Sequence, residues 1–432
     1  MTRKGKISIQ TASSIVISTM IGTGVFTSLG YQVVAIKSGF SLMLLWAVGG
    51  VIAFFGASAY AELGSVFKRS GGEYQLLGKL YHPALGFVAG WISVTVGFAA
   101  PASIAAIALA SYLETLIPGL PQSHVAAGTV LILSIIHASS LKIGSSLQNF
   151  TTALKLLLIL VLIGFSLTID TPQPLSLLPV ESSWPEIFSP AYAVAFVYVS
   201  YAYIGWNSAI YILDEMQDPA KDLSWALLLS TVVVTILYLL LNWSFLYTVP
   251  LSVLEGQIEV GFLAGDAIFG SVGGKIMAGA IAFLLISTVS AYVFLGPRVT
   301  QVMGQDISGL SWLSHTAKNG LPVRAFVLST ILSLTFIYTS TFEQVVLYTS
   351  FSLILITTLT VTGVFIIRTK KLNPAFRMWG YPIAPAIFVA VSIWSLVFVA
   401  IDKPFESLIS VGILGFGLLI HLLTSQKSKK AE

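Results

Sequence analysis

Ser18-Thr19-Met20-Ile21-Gly22-Thr23-Gly24-Val25-Phe26 lies in the middle of an apolar run over 8–35, and two of its glycines bracket a hydroxyl. A second stretch of this kind, Tyr201-Ala202-Tyr203-Ile204-Gly205-Trp206-Asn207, interrupts the run over 188–213. Glycine costs a helix about 1 kcal/mol relative to alanine, so both stretches are places where a spanning helix unwinds. The two runs stand five apolar runs apart, and an odd-numbered repeat inserts its two copies in opposite orientations. Paired interruptions in corresponding spans of two halves mark the binding site of a transporter. The expected architecture is an all-α integral membrane fold of five plus five inverted spans with two appended.

Crossing the hydrocarbon takes about 20 predominantly apolar residues. Twelve runs meet that description: 8–35, 40–66, 84–113, 123–140, 148–169, 188–213, 224–248, 274–303, 322–340, 343–367, 381–401 and 405–424. The expected organisation is one transmembrane domain over 1–432, with a first repeat at 8–169, a second at 188–367 and two further helices at 381–424. Composition agrees: 9% of residues are charged and 56% hydrophobic, where a soluble domain carries roughly 25% charged residues. So little charge cannot cover a water-facing surface, and in lipid a helix satisfies its own backbone. The first run is followed by many more and lacks a small-residue cleavage site, which reads as a retained helix.

The net charge of +4 does not point to nucleic acid, because the basic residues sit in loops between apolar runs. With the N-terminus in the cytoplasm, 18 of the 22 Lys and Arg fall on the cytoplasmic side. Lys37, Lys275 and Lys403 fall outside, and Lys155 lies within a span. The positive-inside rule therefore predicts a multi-pass cell-membrane protein with both termini cytoplasmic.

Unwinding at Gly22-Thr23-Gly24 frees backbone N–H groups at the start of a half-helix, where the dipole adds positive potential. With the Thr23 hydroxyl, these groups suit a carboxylate; equally, small residues in this spacing serve as a packing face between membrane helices. At Gly205 the freed carbonyls of 202–204 suit an ammonium group. Tyr201 would be an aromatic lid and Asn207 a polar side-chain contact, or Tyr201, Tyr203 and Trp206 are packing aromatics. Lys155 sits some seven residues into its span. Either it snorkels to the interface, or it is a fixed cation bonded to freed carbonyls of the first span, or it carries protons.

Absences narrow the function. The acidic residues, among them Glu62, Glu114, Asp214, Glu215 and Glu343, read as loop or helix-end groups, none near either break, which favours neutral substrates over cationic ones or polyamines. The loop from Asp214 to Asp222 reads as a polar cytoplasmic connector or a gating element. No HExxH-like histidine spacing, phosphate loop or nucleophile–base pair is present, so neither an enzyme nor a cofactor is implied. A small-solute channel would need a continuous polar lining. No cysteine occurs, which rules out a disulfide-linked partner chain.

These segments resemble the amino acid-polyamine-organocation superfamily, and within it the L-type amino acid transporter branch and its bacterial relatives. The resemblance rests on Gly22-Thr23-Gly24-Val25-Phe26, on Ala59-Tyr60-Ala61-Glu62-Leu63-Gly64 followed by Ser70-Gly71-Gly72-Glu73-Tyr74, and on Gly90-Trp91 with Pro101-Ala102-Ser103. It continues through Leu147-Gln148-Asn149-Phe150 leading to Lys155, and through Tyr203-Ile204-Gly205-Trp206-Asn207 with Asp214-Glu215-Met216-Gln217-Asp218-Pro219. It implies the leucine-transporter fold, with a substrate α-carboxylate on Gly22, Thr23 and Gly24 and an α-amine near the backbone of Thr19, Met20, Tyr201, Ala202 and Ile204. It further implies a gate at Tyr201, a side-chain pocket including Asn207, and sodium independence through Lys155. Span eight offers Ser287, Thr288, Ser290 and Tyr292 as partners for Lys155. Eukaryotic L-type relatives bond a glycoprotein through a cysteine that this chain lacks. The gate position is commonly Phe or Trp where this chain has Tyr201.

Overall fold

The computed structural model describes the backbone of residues 7–139, 144–317 and 320–429, and their side chains apart from 144–149, 214, 215, 220 and 425–429. Among the described residues every regular element is helical, with one isolated bridge between Ile7 and Met216. In chain order they are α1 (Ile9–Met20), α2 (Gly24–Ala35), α3 (Gly39–Phe67), α4 (Gly72–Leu80), α5 (Pro83–Ile92), a π turn (Ser93–Ala99), α6 (Ala100–Glu114), α7 (Gln122–Ser139) and α8 (Gly144–Ser166). There follow α9 (Ser183–Ile187), α10 (Pro190–Tyr203), a tight helix over Ser208–Glu215, α11 (Pro219–Thr248), α12 (Leu251–Leu254) and α13 (Val260–Asp306). The chain closes with α14 (Val323–Thr339), α15 (Phe342–Thr369), α16 (Ile383–Asp402) and α17 (Pro404–Lys429).

Eight helical stretches among the described residues are long and apolar enough to cross a bilayer. The expected runs over α7, α8, α10 and α14 fall on shorter or less apolar helices; α10, for example, has 14 residues because it stops at the break. The sequence expectation for the eighth run, 274–303, covers only the second part of α13, which begins at Val260. Gly270, at φ +73°, bends the chain between the two parts. The side chains of Gln148 and Asn149, and those of Asp214 and Glu215, lie outside the described residues.

Local chemistry sets the ends. Ser8 caps α1 by accepting from the Thr11 amide at 3.3 Å. Thr341 and Gln344 form a reciprocal capping box at α15. Proline opens α10 and α11, where its missing N–H costs nothing. Outward helix faces carry Ile132, Ile135, Leu157, Ile276, Ile401 and Leu408, each more than half exposed. Apolar side chains facing out from helices with polar groups turned in is the arrangement lipid requires.

One internal ion pair ties the far end of α3 to the end of α15. Glu62 is fully buried, and Arg368 Nε stands 2.6 Å from its carboxylate. The Met378 amide donates to the same carboxylate at 2.8 Å. Removing one partner of a buried pair strands the other charge and costs about 3–5 kcal/mol. Arg368→Leu should therefore lower the melting temperature of the detergent-purified protein markedly. Adding Glu62→Leu should restore most of the loss, which differential scanning fluorimetry of the two variants checks.

Candidate functional site

The first break falls at 21–23, between α1 and α2. Ile21 leaves helical geometry at ψ 79°, and the Gly22 amide folds back onto the Met20 carbonyl at 2.8 Å. No carbonyl among the described residues accepts from the amides of Thr23, Gly24 or Val25. Three successive unpaired N–H groups at the head of a helix form an anion-binding cradle.

The second break spans 204–207, between α10 and the helix over Ser208–Glu215. Gly205 takes φ +107°, a conformation that strains any residue with a Cβ, and such a Cβ would lie 2.7 Å from the Thr19 backbone. The carbonyls of Thr19, Tyr203 and Ile204 accept no hydrogen bond among the described residues. Carbonyls at two helix ends are therefore available to a cation close to the amides just described.

The two breaks touch. A Cβ on Gly24 would lie 2.4 Å from Ala202 Cα, so only glycine allows this approach. The Thr23 hydroxyl and the Tyr201 phenol share a 2.6 Å hydrogen bond. Thr19 Oγ1 reaches Ser208 Oγ at 2.8 Å and the Gly205 carbonyl at 3.2 Å. The Tyr238 hydroxyl of α11 lies 2.5 Å from the Met20 carbonyl and 3.0 Å from that of Ala202. Thr19, Met20, Thr23, Gly24, Tyr201 and Ala202 thus gather at one seam, whereas Gly22 borders Thr288 and Asn207 turns to Glu73. Ile204 lines a cavity of about 60 Å³ behind α10, with Ser200, Ser350 and Ser392.

Lys155 is 2% exposed and donates to Thr288 Oγ1 at 2.9 Å. This differs from the bond to a first-span carbonyl drawn from sequence, and it selects Thr288 from the four span-eight candidates. Thr288 in turn borders the first break: a Cβ on Gly22 would lie 3.6 Å from its methyl. The lysine therefore reaches the break through one side chain. Ser290, another of the four, pairs with His137 at 2.7 Å.

The structure corrects one reading outright. An acidic group does adjoin a break: Glu73, on the first turn of α4 and 3% exposed, accepts from Asn207 Nδ2 at 2.6 Å and from Tyr60 at 2.9 Å. The Tyr211 hydroxyl bonds its other oxygen. The Gly71-Gly72 pair preceding it, both at positive φ, was the available signal, since such a turn delivers the next side chain inward. Tyr238 carried no signal, being one aromatic in an apolar run. On the opposite side of the breaks, Tyr31 stacks between Tyr198 and Phe342 at centroid separations of 5.3 and 5.8 Å.

A family profile described as amino acid permease matches residues 7–424. The b(0,+)-type amino acid transporter 1 of Homo sapiens is 27% identical over 420 residues, which is 95% of this chain and 86% of the relative. The large neutral amino acids transporter small subunit 2 is also similar. The human protein is 27% identical and the Mus musculus protein 26%, over 97% of this chain and 80% and 81% of the relatives.

Tyr238→Phe would leave the Ala202 carbonyl without its donor, while the Met20 carbonyl keeps the Gly22 amide at 2.8 Å. One unsatisfied buried group costs about 1–3 kcal/mol. The melting temperature of the purified variant should therefore fall by a few degrees, which differential scanning fluorimetry against wild type measures.

Proposed function

The chain belongs to the amino acid permease family, and from that premise we propose a sodium-independent secondary transporter of neutral L-amino acids, working by exchange or proton coupling through alternating access. It is a membrane protein that moves amino acids, and it is not an enzyme. The observation that carries the finer reading is the juxtaposition of unpaired amides at Thr23, Gly24 and Val25 with unpaired carbonyls at Thr19, Tyr203 and Ile204. A zwitterion carries the two opposite charges, and its carboxylate and ammonium would satisfy one set each.

In this proposal Gly22, Thr23 and Gly24 take the carboxylate, and the backbone around Thr19, Met20, Tyr201, Ala202 and Ile204 takes the amine. The Thr23 hydroxyl leaves Tyr201 to bond the carboxylate, and the released phenol swings over the substrate as the gate. Asn207 meets the substrate side chain. Lys155, through Thr288, supplies next to the first break the positive charge that a sodium ion would otherwise bring. Neutral substrates fit because Glu73 is covered by three donors and presents no open carboxylate to a cationic side chain. The name of the large neutral amino acids transporters points the same way. The proposal includes twelve spans, as inverted repeats at 8–169 and 188–367 plus 381–424, with both termini cytoplasmic; the Lys and Arg asymmetry supports it.

Reconstitution into liposomes tests this directly. Uptake of neutral amino acids should proceed without sodium and should respond to internal amino acid or to a proton gradient. A strict sodium requirement would overturn the part given to Lys155. Thr23→Val should weaken every substrate alike, by roughly tenfold or more, since a hydrogen bond to a charged group is worth about 1.5–3 kcal/mol. Loss confined to one side-chain class would contradict a shared carboxylate site. Lys155→Ala should abolish transport while the protein remains monodisperse by size-exclusion chromatography.

A further inference from the structure

Glu73 has no part in the scheme above, yet it is 3% exposed and makes no ion pair among the described residues. Its three partners come from separate segments and are all neutral: Tyr60 of α3, Asn207 at the end of the second break, and Tyr211 of the helix that follows. A carboxylate only accepts hydrogen bonds. The Asn207 carboxamide must therefore meet it with its nitrogen, as the 2.6 Å contact from Nδ2 shows. The amide is planar, so fixing its nitrogen on Glu73 turns Oδ1 the opposite way. Asn207 Oδ1 has no partner among the described residues, and the residue is only partly buried.

We propose that Glu73 is a positioning residue for substrate selection: it holds Asn207 so that the site offers a hydrogen-bond acceptor to the substrate side chain. The preferred amino acids are then neutral ones whose side chain carries a donor, such as threonine, over apolar isosteres such as valine. Without Glu73 the amide turns freely and presents either end, so the preference is lost while the shared carboxylate and amine contacts remain. The inference rests on the amino acid site proposed above, and its test separates the two.

The test is competition by unlabelled threonine and valine against a labelled neutral amino acid, using full-length protein in liposomes. Wild type should favour threonine over valine by about tenfold, the value of one well-formed hydrogen bond. Glu73→Met should bring the ratio close to one, as should Asn207→Leu, and the double variant should change it no further. Glu73→Gln is the isosteric control, since its carbonyl still accepts from Asn207, and it should keep the preference. Should Glu73→Met not fold, Asn207→Leu and Glu73→Gln decide by the same ratios. Equal loss of both affinities in Glu73→Met, with the ratio unchanged, would show a structural role only and overturn the inference. So would a wild type without preference for threonine. Failure of the wild type to bind any amino acid would instead sink the proposed function.

Discussion

A single phenol serves two broken helices. Every backbone N–H and C=O in the hydrocarbon must find a partner, because no water is there to supply one. Interrupting a helix twice within the membrane strands several such groups, and the fold depends on how they are met. Tyr238 meets two at once, bonding the last carbonyl of α1 and a carbonyl near the end of α10. Thr19 adds its hydroxyl from the other direction to the Gly205 carbonyl, which the Ser208 amide also bonds. The groups left over are amides on one side and carbonyls on the other, and the chemistry of the site is this remainder.

The surroundings support that arrangement from both ends. Tyr31, Tyr198 and Phe342 stack on one side, with the Tyr198 hydroxyl on Glu343 at 2.8 Å and Lys403 on the same carboxylate at 3.2 Å. On the other side lie the Glu73 cluster and the bridge from Ile7 to Met216. Buried ions are costly unless paired or fully hydrogen-bonded. The three cases here differ instructively: Glu62 has an arginine, Glu73 has three neutral donors, and Lys155 has a single threonine among the described residues. Lys155 is therefore the least compensated of the three among the described residues.

Much of this was legible in the residues themselves. Long apolar runs with sparse charge announce a helical membrane protein, because burial in lipid acts on composition over whole spans. The breaks were legible from Gly22, Gly24 and Gly205, since backbone freedom is a local property. Lys155 stood out because a lone cation in an apolar run is expensive. What escaped was tertiary. Tyr238 and Ser208 gain their roles only from where α11 and the second half of span six pack. Glu73 looked like a loop acid because its burial is produced by a turn at Gly71 and Gly72 that tucks α4 beneath the break. The bend at Gly270 was missed because the polar and glycine-rich stretch from Asp266 to Lys275 reads as a connector leading into the run at 274–303, not as a continuation of the helix.

The contact between Gly24 and Ala202 has a wider consequence. With backbone against backbone at that point, no side chain stands between the two half-helices, so their spacing is set by the main chain itself. Any bulkier residue at position 24 would wedge them apart, and every hydrogen bond that joins the two breaks would lengthen with them.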